Sequence, residues 1–228
     1  TTVCPGPPVT FTITVNPAGQ VDQPVNRIAC ENSNVSVAFT TVNTGGTTTY
    51  NWTNSNTGIG LPATGSGNIS FTATNTTTSP ITGTITVTPV FSNGGTSCPG
   101  PSQSFNITIN PEGQVNDPAD MIICNGTVQN VVFTTANTGG LTTFNWTNTN
   151  TAIGLGTDGT GTLAFTATNT GTSPITATIT VSPSFNNGSV DCPGPSQTFT
   201  ITVNPTPSLS SPLTIPDICS NSTVTYNP

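Results

Sequence analysis

The chain has 228 residues with one basic side chain (Arg27), eight acids and no histidine, for a formal charge of −7. Only 4% of its residues are charged, against roughly a quarter in ordinary soluble domains. That leaves no basic footprint for nucleic acid or anionic lipid, and no apolar run approaches the roughly 20 residues a spanning helix needs. A hydrophobic content of 32% is low enough for disorder, but the Thr, Val, Ile and Phe residues fall in alternating order, which favours strands.

In chain order, "VSVAF" turns Val35, Val37 and Phe39 to one side. "TYNWT" places Tyr50 and Trp52 on one face with Asn51 and Thr53 on the other, and "NISFTA" aligns Ile69, Phe71 and Ala73. "PITGTITVTP" points Ile81, Gly83, Ile85 and Val87 inward and Thr82, Thr84 and Thr86 outward; "SFNITI" aligns Phe105, Ile107 and Ile109. A period of two with one Thr/Asn face predicts half-buried antiparallel strands, and β-branched Thr supports them without adding charge. "NTGG", "ATGSG", "NTTTSP" and "SNGG" are turn chemistry.

The strand pattern occurs twice. Cys4, Cys98 and Cys192 are 94 residues apart, as are Cys30 and Cys124, with Cys219 following after 95. Trp52 and Trp146 share the offset, and "NTGG", "FTATNT" and "CPGPSQ" return with it. Residues 18–111 and 112–205 form two complete repeats; 1–17 reads as the last strand of a preceding one and 206–228 as the first part of a following one. A unit of this length can hold its own core and is too long for a solenoid repeat. About seven strands per unit, with a Trp on an early central strand, suggest a Greek-key sandwich of immunoglobulin type. Junctions "NPAGQVDQPVN", "NPEGQVNDPAD" and "NPTPSLSSPLTIPD" carry prolines that stiffen them. The expectation is an all-β chain of tandem sandwich domains forming an extended rod.

The phrases "IGL…GSGNISFTATNT", "PITGTITVTP" and "TITVNP", with "IICNG" at Ile122–Gly126, resemble the PKD-like (polycystic-kidney-disease-like) repeats of Bacteroidota surface proteins. The resemblance covers essentially the whole chain. It implies immunoglobulin-like sandwiches in large secreted or cell-surface proteins, often adhesins exported by the type IX system, and it carries over no catalytic residue.

Six regularly spaced cysteines point to disulfides in an oxidising compartment outside the cytoplasm. Zinc would want close pairs or Cys/His sets, and the shortest separation here is 26 residues. Pairing within each repeat gives Cys30–Cys98 and Cys124–Cys192, with Cys4 and Cys219 pairing outside 1–228. Such bridges require the early cysteine to sit partway along its strand, because Cα atoms must approach within about 7 Å. The sequential alternative, Cys98–Cys124, must span a final strand and a junction.

Trp52 and Trp146 share the apolar strand face with Tyr50 and Phe144, so they are expected in the core rather than as sugar platforms. Phe39, Phe133, Phe71 and Phe165 join them. Calcium needs six to eight oxygens; one junction offers Glu112, Asp117 and Asp120, but the others offer only Asp22 and Asp217, so no metal or other cofactor is expected. Without histidine or lysine no Ser-His-Asp set can be assembled, and Asp158 has no acidic counterpart in the first repeat, so no enzyme is expected.

These readings converge on a non-catalytic, disulfide-braced stalk of a large extracellular or cell-surface protein. The alternatives are a subunit of a self-assembling filament and an accessory carbohydrate-binding module of a secreted enzyme. Expected partners are neighbouring repeats of the same chain, identical chains in the filament case, and surface polysaccharide through other domains.

Overall fold

The computed structural model describes residues 1–188, 190–208, 217, 219–221 and 223. Most of 206–228, read above as the start of another repeat, lies outside the described residues. Two compact units emerge. The first holds Thr1–Glu112 together with Asn137–Leu141 and Phe185–Cys192; the second holds Gly113–Ala136, Thr142–Ser184 and the residues from Pro193 onward. Among the described residues there is no α-helix, and none long and apolar enough to cross a membrane.

Eight strands lie in the first repeat: β1 (Arg27–Cys30), β2 (Asn34–Val37), β3 (Thr47–Asn54), β4 (Thr64–Ser66), β5 (Ile69–Thr72), β6 (Ile81–Asn93), β7 (Thr96–Pro99) and β8 (Gln103–Asn110). They form a sheet of order β1-β8-β6-β3-β4, with β7 also on β6, and a second sheet of β2 and β5. Strand β1 runs parallel to β8, and the other pairs are antiparallel. The inward residues of both sheets, among them Val35, Val37, Ile69, Trp52, Ile85, Val87, Phe105, Ile107 and Ile109, make one core. This is an immunoglobulin-like sandwich, its two layers joined by alternating strand faces.

The second repeat copies the set as β9 (Met121–Cys124), β10 (Val128–Val131), β11 (Leu141–Asn148), β12 (Asp158–Thr160), β13 (Leu163–Thr166), β14 (Ile175–Asn186), β15 (Asp191–Pro193) and β16 (Gln197–Asn204). Its sheets have the same orders, and its core is a separate cluster around Trp146, Ile179, Phe199 and Ile201.

The low-charge composition has a structural counterpart on the outer face. Across β6 and β8, Thr82 meets Thr108 at 2.8 Å and Thr86 meets Ser104 at 3.0 Å, and just past the ladder Thr88 meets Ser102 at 2.7 Å, hydroxyl to hydroxyl. Thr176 and Thr202, at 2.9 Å, repeat this on β14 and β16. Cross-strand pairs of this kind contribute roughly 0.2–1 kcal/mol each, so hydroxyl ladders do the work that charges do on other sheets.

The Cys-Pro-Gly-Pro cluster, Cys98–Pro101, follows the turn that leads out of β6. The turn is Asn93–Thr96, with Gly94 at φ 58° and Gly95 at φ 80°. Cys98 then lies in β7 opposite Phe91, and the ladder to β6 resumes at Gln103 opposite Val87. The cluster therefore interrupts one long strand. At that interruption Gly19 N donates to Cys98 O at 3.0 Å, and a Cβ on Gly100 would stand 1.7 Å from Gly19 O. Gly194 meets Gly113 in the same way. The glycine is there because the incoming junction passes directly over it.

Candidate functional site

Among the described residues the structure forms one disulfide, Cys30–Cys192, with Cα atoms 5.4 Å apart and a sequence separation of 162. Cys4, Cys98, Cys124 and Cys219 are free thiols. The expected Cys30–Cys98 and Cys124–Cys192 bridges are thereby corrected. Strand register gives the reason. Cys30 stands opposite Asn110 at the end of β8, next to the Ile81–Ile109 pair, whereas Cys98 stands opposite Phe91, ten residues further along β6. At about 3.3 Å per residue that is roughly 33 Å, far beyond the reach of a disulfide. Cys124 sits opposite Asn204 in the same register.

The disulfide belongs to a larger joint inside the first unit, built where two segments of the second repeat, Asn137–Leu141 and Phe185–Cys192, close onto the first repeat. Thr138 N donates to Thr78 O at 2.9 Å. Asn137 Nδ2 donates to Glu112 O at 3.2 Å and reaches Thr78 O at 3.5 Å. Gly139, at φ +76°, lies so close to Pro80 that an added Cβ would be 3.0 Å from the ring; Gly188, at φ +104°, faces the tip of Ile28. Asn32 Nδ2 donates to Glu112 Oε1 at 2.8 Å. Beside it the Glu31 carboxyl is pushed up from its ordinary range by burial and then by the Glu112 charge. Both Cys192 and Asn110 are fully buried here.

The loop that offers Thr78 is held by a buried asparagine. Asn75 Nδ2 donates to Ser79 O at 2.9 Å and Ile109 O at 2.8 Å, while its Oδ1 accepts from Thr77 N at 3.0 Å. Asn169 repeats the arrangement with Ser173 O, Val203 O and Gly171 N. In the text of the sequence these asparagines look like ordinary turn residues. Their signal is the "TNT" following each "FTA", which sets an Asn two residues past the inward Ala73 and Ala167.

The remaining candidate residues lie inside. Trp52, Trp146, Phe39, Phe133 and Phe165 are buried, and Phe71 is half-buried against the same core. Trp52 donates from Nε1 to Gly67 O at 3.2 Å, and its ring is covered by Gly65, where a Cβ would come within 2.1 Å. Among the described residues no three His, Cys, Asp or Glu side chains cluster as metal ligands.

No protein-family model matches the chain, and no curated protein matches it. Solved structures similar to it include the fibronectin(III)-like modules of Clostridium thermocellum CbhA, at 13% identity over 82% of this chain and 94% of that one, with a TM-score of 0.33. Mouse cadherin-23 EC22-24 is similar at 14% identity over 82% and 66%, with a TM-score of 0.39. The I9-I11 tandem from titin follows at 11% identity over 82% and 99%, with a TM-score of 0.29. Scores this low carry no argument of their own; the immunoglobulin-like assignment stands on strand order and on the two cores.

Proposed function

We propose that the chain is a non-catalytic structural repeat region, a stalk, of a large secreted or cell-surface adhesin-like protein. The PKD-like character of its phrases supports a Bacteroidota surface protein of the type IX class. The observation that carries the reading is the Cys30–Cys192 disulfide. It is a covalent brace of the kind that persists outside the cytoplasm, and it ties the opening of one repeat to the late hairpin of the next. In the stalk reading, each repeat buries its own core, the brace and proline-bearing junctions limit bending, and the repeats form an extended rod that carries other domains outward. The single basic side chain, Arg27, leaves trypsin-like proteases one site to attack.

Electron microscopy of the native protein tests this. Unbranched thin rods with beads every 35–45 Å or so, from strand rise and strand length, are the expected result. Ordered helical assemblies with many lateral contacts would replace the stalk with the filament subunit. Glycan binding lost on changing an exposed aromatic would instead favour the carbohydrate-binding module.

A further inference from the structure

The joint in the first unit has two sides, and the 94-residue repeat supplies each side a second time, where the described residues leave it open. The receiving side in the first repeat consists of Ile28, Cys30 and Thr78; its counterparts are Ile122, Cys124 and Thr172. Ile28 lies under the Gly188 turn and is 40% exposed, whereas Ile122 is 73% exposed. Asn110 and Pro111 are buried, whereas Asn204 and Pro205 are only half-buried. Where Thr78 O accepts from Thr138 N, the second repeat has an open groove of about 530 Å³ lined by Asn125, Asn169, Gly171, Thr172, Pro205 and Thr206. The groove is already shaped: Asn125 bonds Thr206 Oγ1 at 2.9 Å and accepts from Asn169 N at 2.9 Å.

The inserting side recurs as well. Asn43–Gly46 repeats Asn137–Gly140, and Cys98 repeats Cys192. Gly45 keeps the left-handed φ of Gly139, +77° against +76°, but has open space where Gly139 has Pro80. Cys98 is half-buried and free, where Cys192 is fully buried and bonded.

We infer that the Ile122–Cys124–Thr172 face is the docking site for a further repeat of the same kind, which enters with an Asn-Thr-Gly-Gly loop and closes with its late cysteine. The first repeat of a second copy of this chain carries both parts, so Cys124 of one copy pairs with Cys98 of another, head to tail. The two sides differ, so the contact is heterologous and can chain one copy to the next. The bond forms by oxidation of two thiols to a disulfide, with loss of two protons and two electrons to an added oxidant such as oxidised glutathione. The inference rests on the joint in the first unit and not on the surface-protein reading.

The test uses the purified full chain as the C4S/C219S double variant, which leaves Cys98 and Cys124 as its free thiols. Incubation with oxidised glutathione is followed by non-reducing electrophoresis and peptide mapping. Linear dimers and longer oligomers joined by intermolecular Cys98–Cys124 are expected, with Cys30–Cys192 intact. The further change Ile122→Asp should slow linking at least fivefold, and C124S should abolish it, dimers included. Persistent monomer, an intramolecular Cys98–Cys124 bond, or Cys98–Cys98 and Cys124–Cys124 links in statistical proportion would each overturn the inference. Loss of Cys30–Cys192 in the starting material would overturn the joint itself, and none of these outcomes bears on where the protein is exported.

Discussion

The two repeats share strand order, ladder register and buried asparagines, yet their opening cysteines have different fates. Cys30 is bonded beside a covered Ile28, and Cys124 is free beside an exposed Ile122. Among the described residues the same face is therefore covered in one repeat and exposed in the other.

The largest expected effect comes from breaking the brace. C30S removes a bond that closes a loop of 162 residues, which the chain-entropy model values at about 5 kcal/mol. Calorimetry should show the first unit losing much of its stability while the second melts unchanged. Equal destabilisation of both would break the comparison. The next effect sharpens it. Asn75→Ala strips two carbonyls and one N–H of their partners, costing about 3 kcal/mol at typical penalties for buried unpaired groups. Asn169→Ala should cost the second unit a similar amount, but only Asn75→Ala should expose Cys30–Cys192 to faster reduction by dithiothreitol, because its loop presents Thr78 to the joint.

Gly100→Ala and Gly194→Ala come third. Each puts a Cβ 1.7 Å from a backbone oxygen and should cost about 2 kcal/mol as overpacking, read as a shift of the denaturant midpoint with unchanged slope. Here the repeats should respond alike, since each glycine packs on the junction of its own repeat. The smallest effect is electrostatic. Burial and Glu112 raise the Glu31 carboxyl above its ordinary 4.5, so the folded state holds that proton more tightly than the unfolded state. Stability from this group is therefore full below the ordinary range and falls as pH rises through the raised value. Glu31→Gln should give a small increase in Tm at pH 7 that disappears near pH 3.5, below the 4.5 at which an unperturbed carboxyl titrates.

Much of the sandwich was legible. The strands carrying Val35, Trp52, Phe71, Ile85 and Ile107 all follow from alternation, because each has one apolar and one hydroxylated face. The short β1 and β4 were not legible: "RIAC" has no alternation to read, and "TGS" looks like part of its turn. The length of β6 was hidden by Pro89, which sits where the ladder to β8 has already ended and so removes no bond to it. Cysteine pairing was the least legible feature. When each repeat supplies one opening and one late cysteine, spacing alone cannot say whether a partner lies in its own repeat or the next. Only the register of β1 on β8 and of β7 on β6 decides it.

The central claim is tested most directly by peptide mapping of the unreduced chain. After alkylation of free thiols and digestion with pepsin, Cys30 should be found joined to Cys192, with Cys98 and Cys124 alkylated. A Cys30–Cys98 or Cys124–Cys192 peptide would contradict the account.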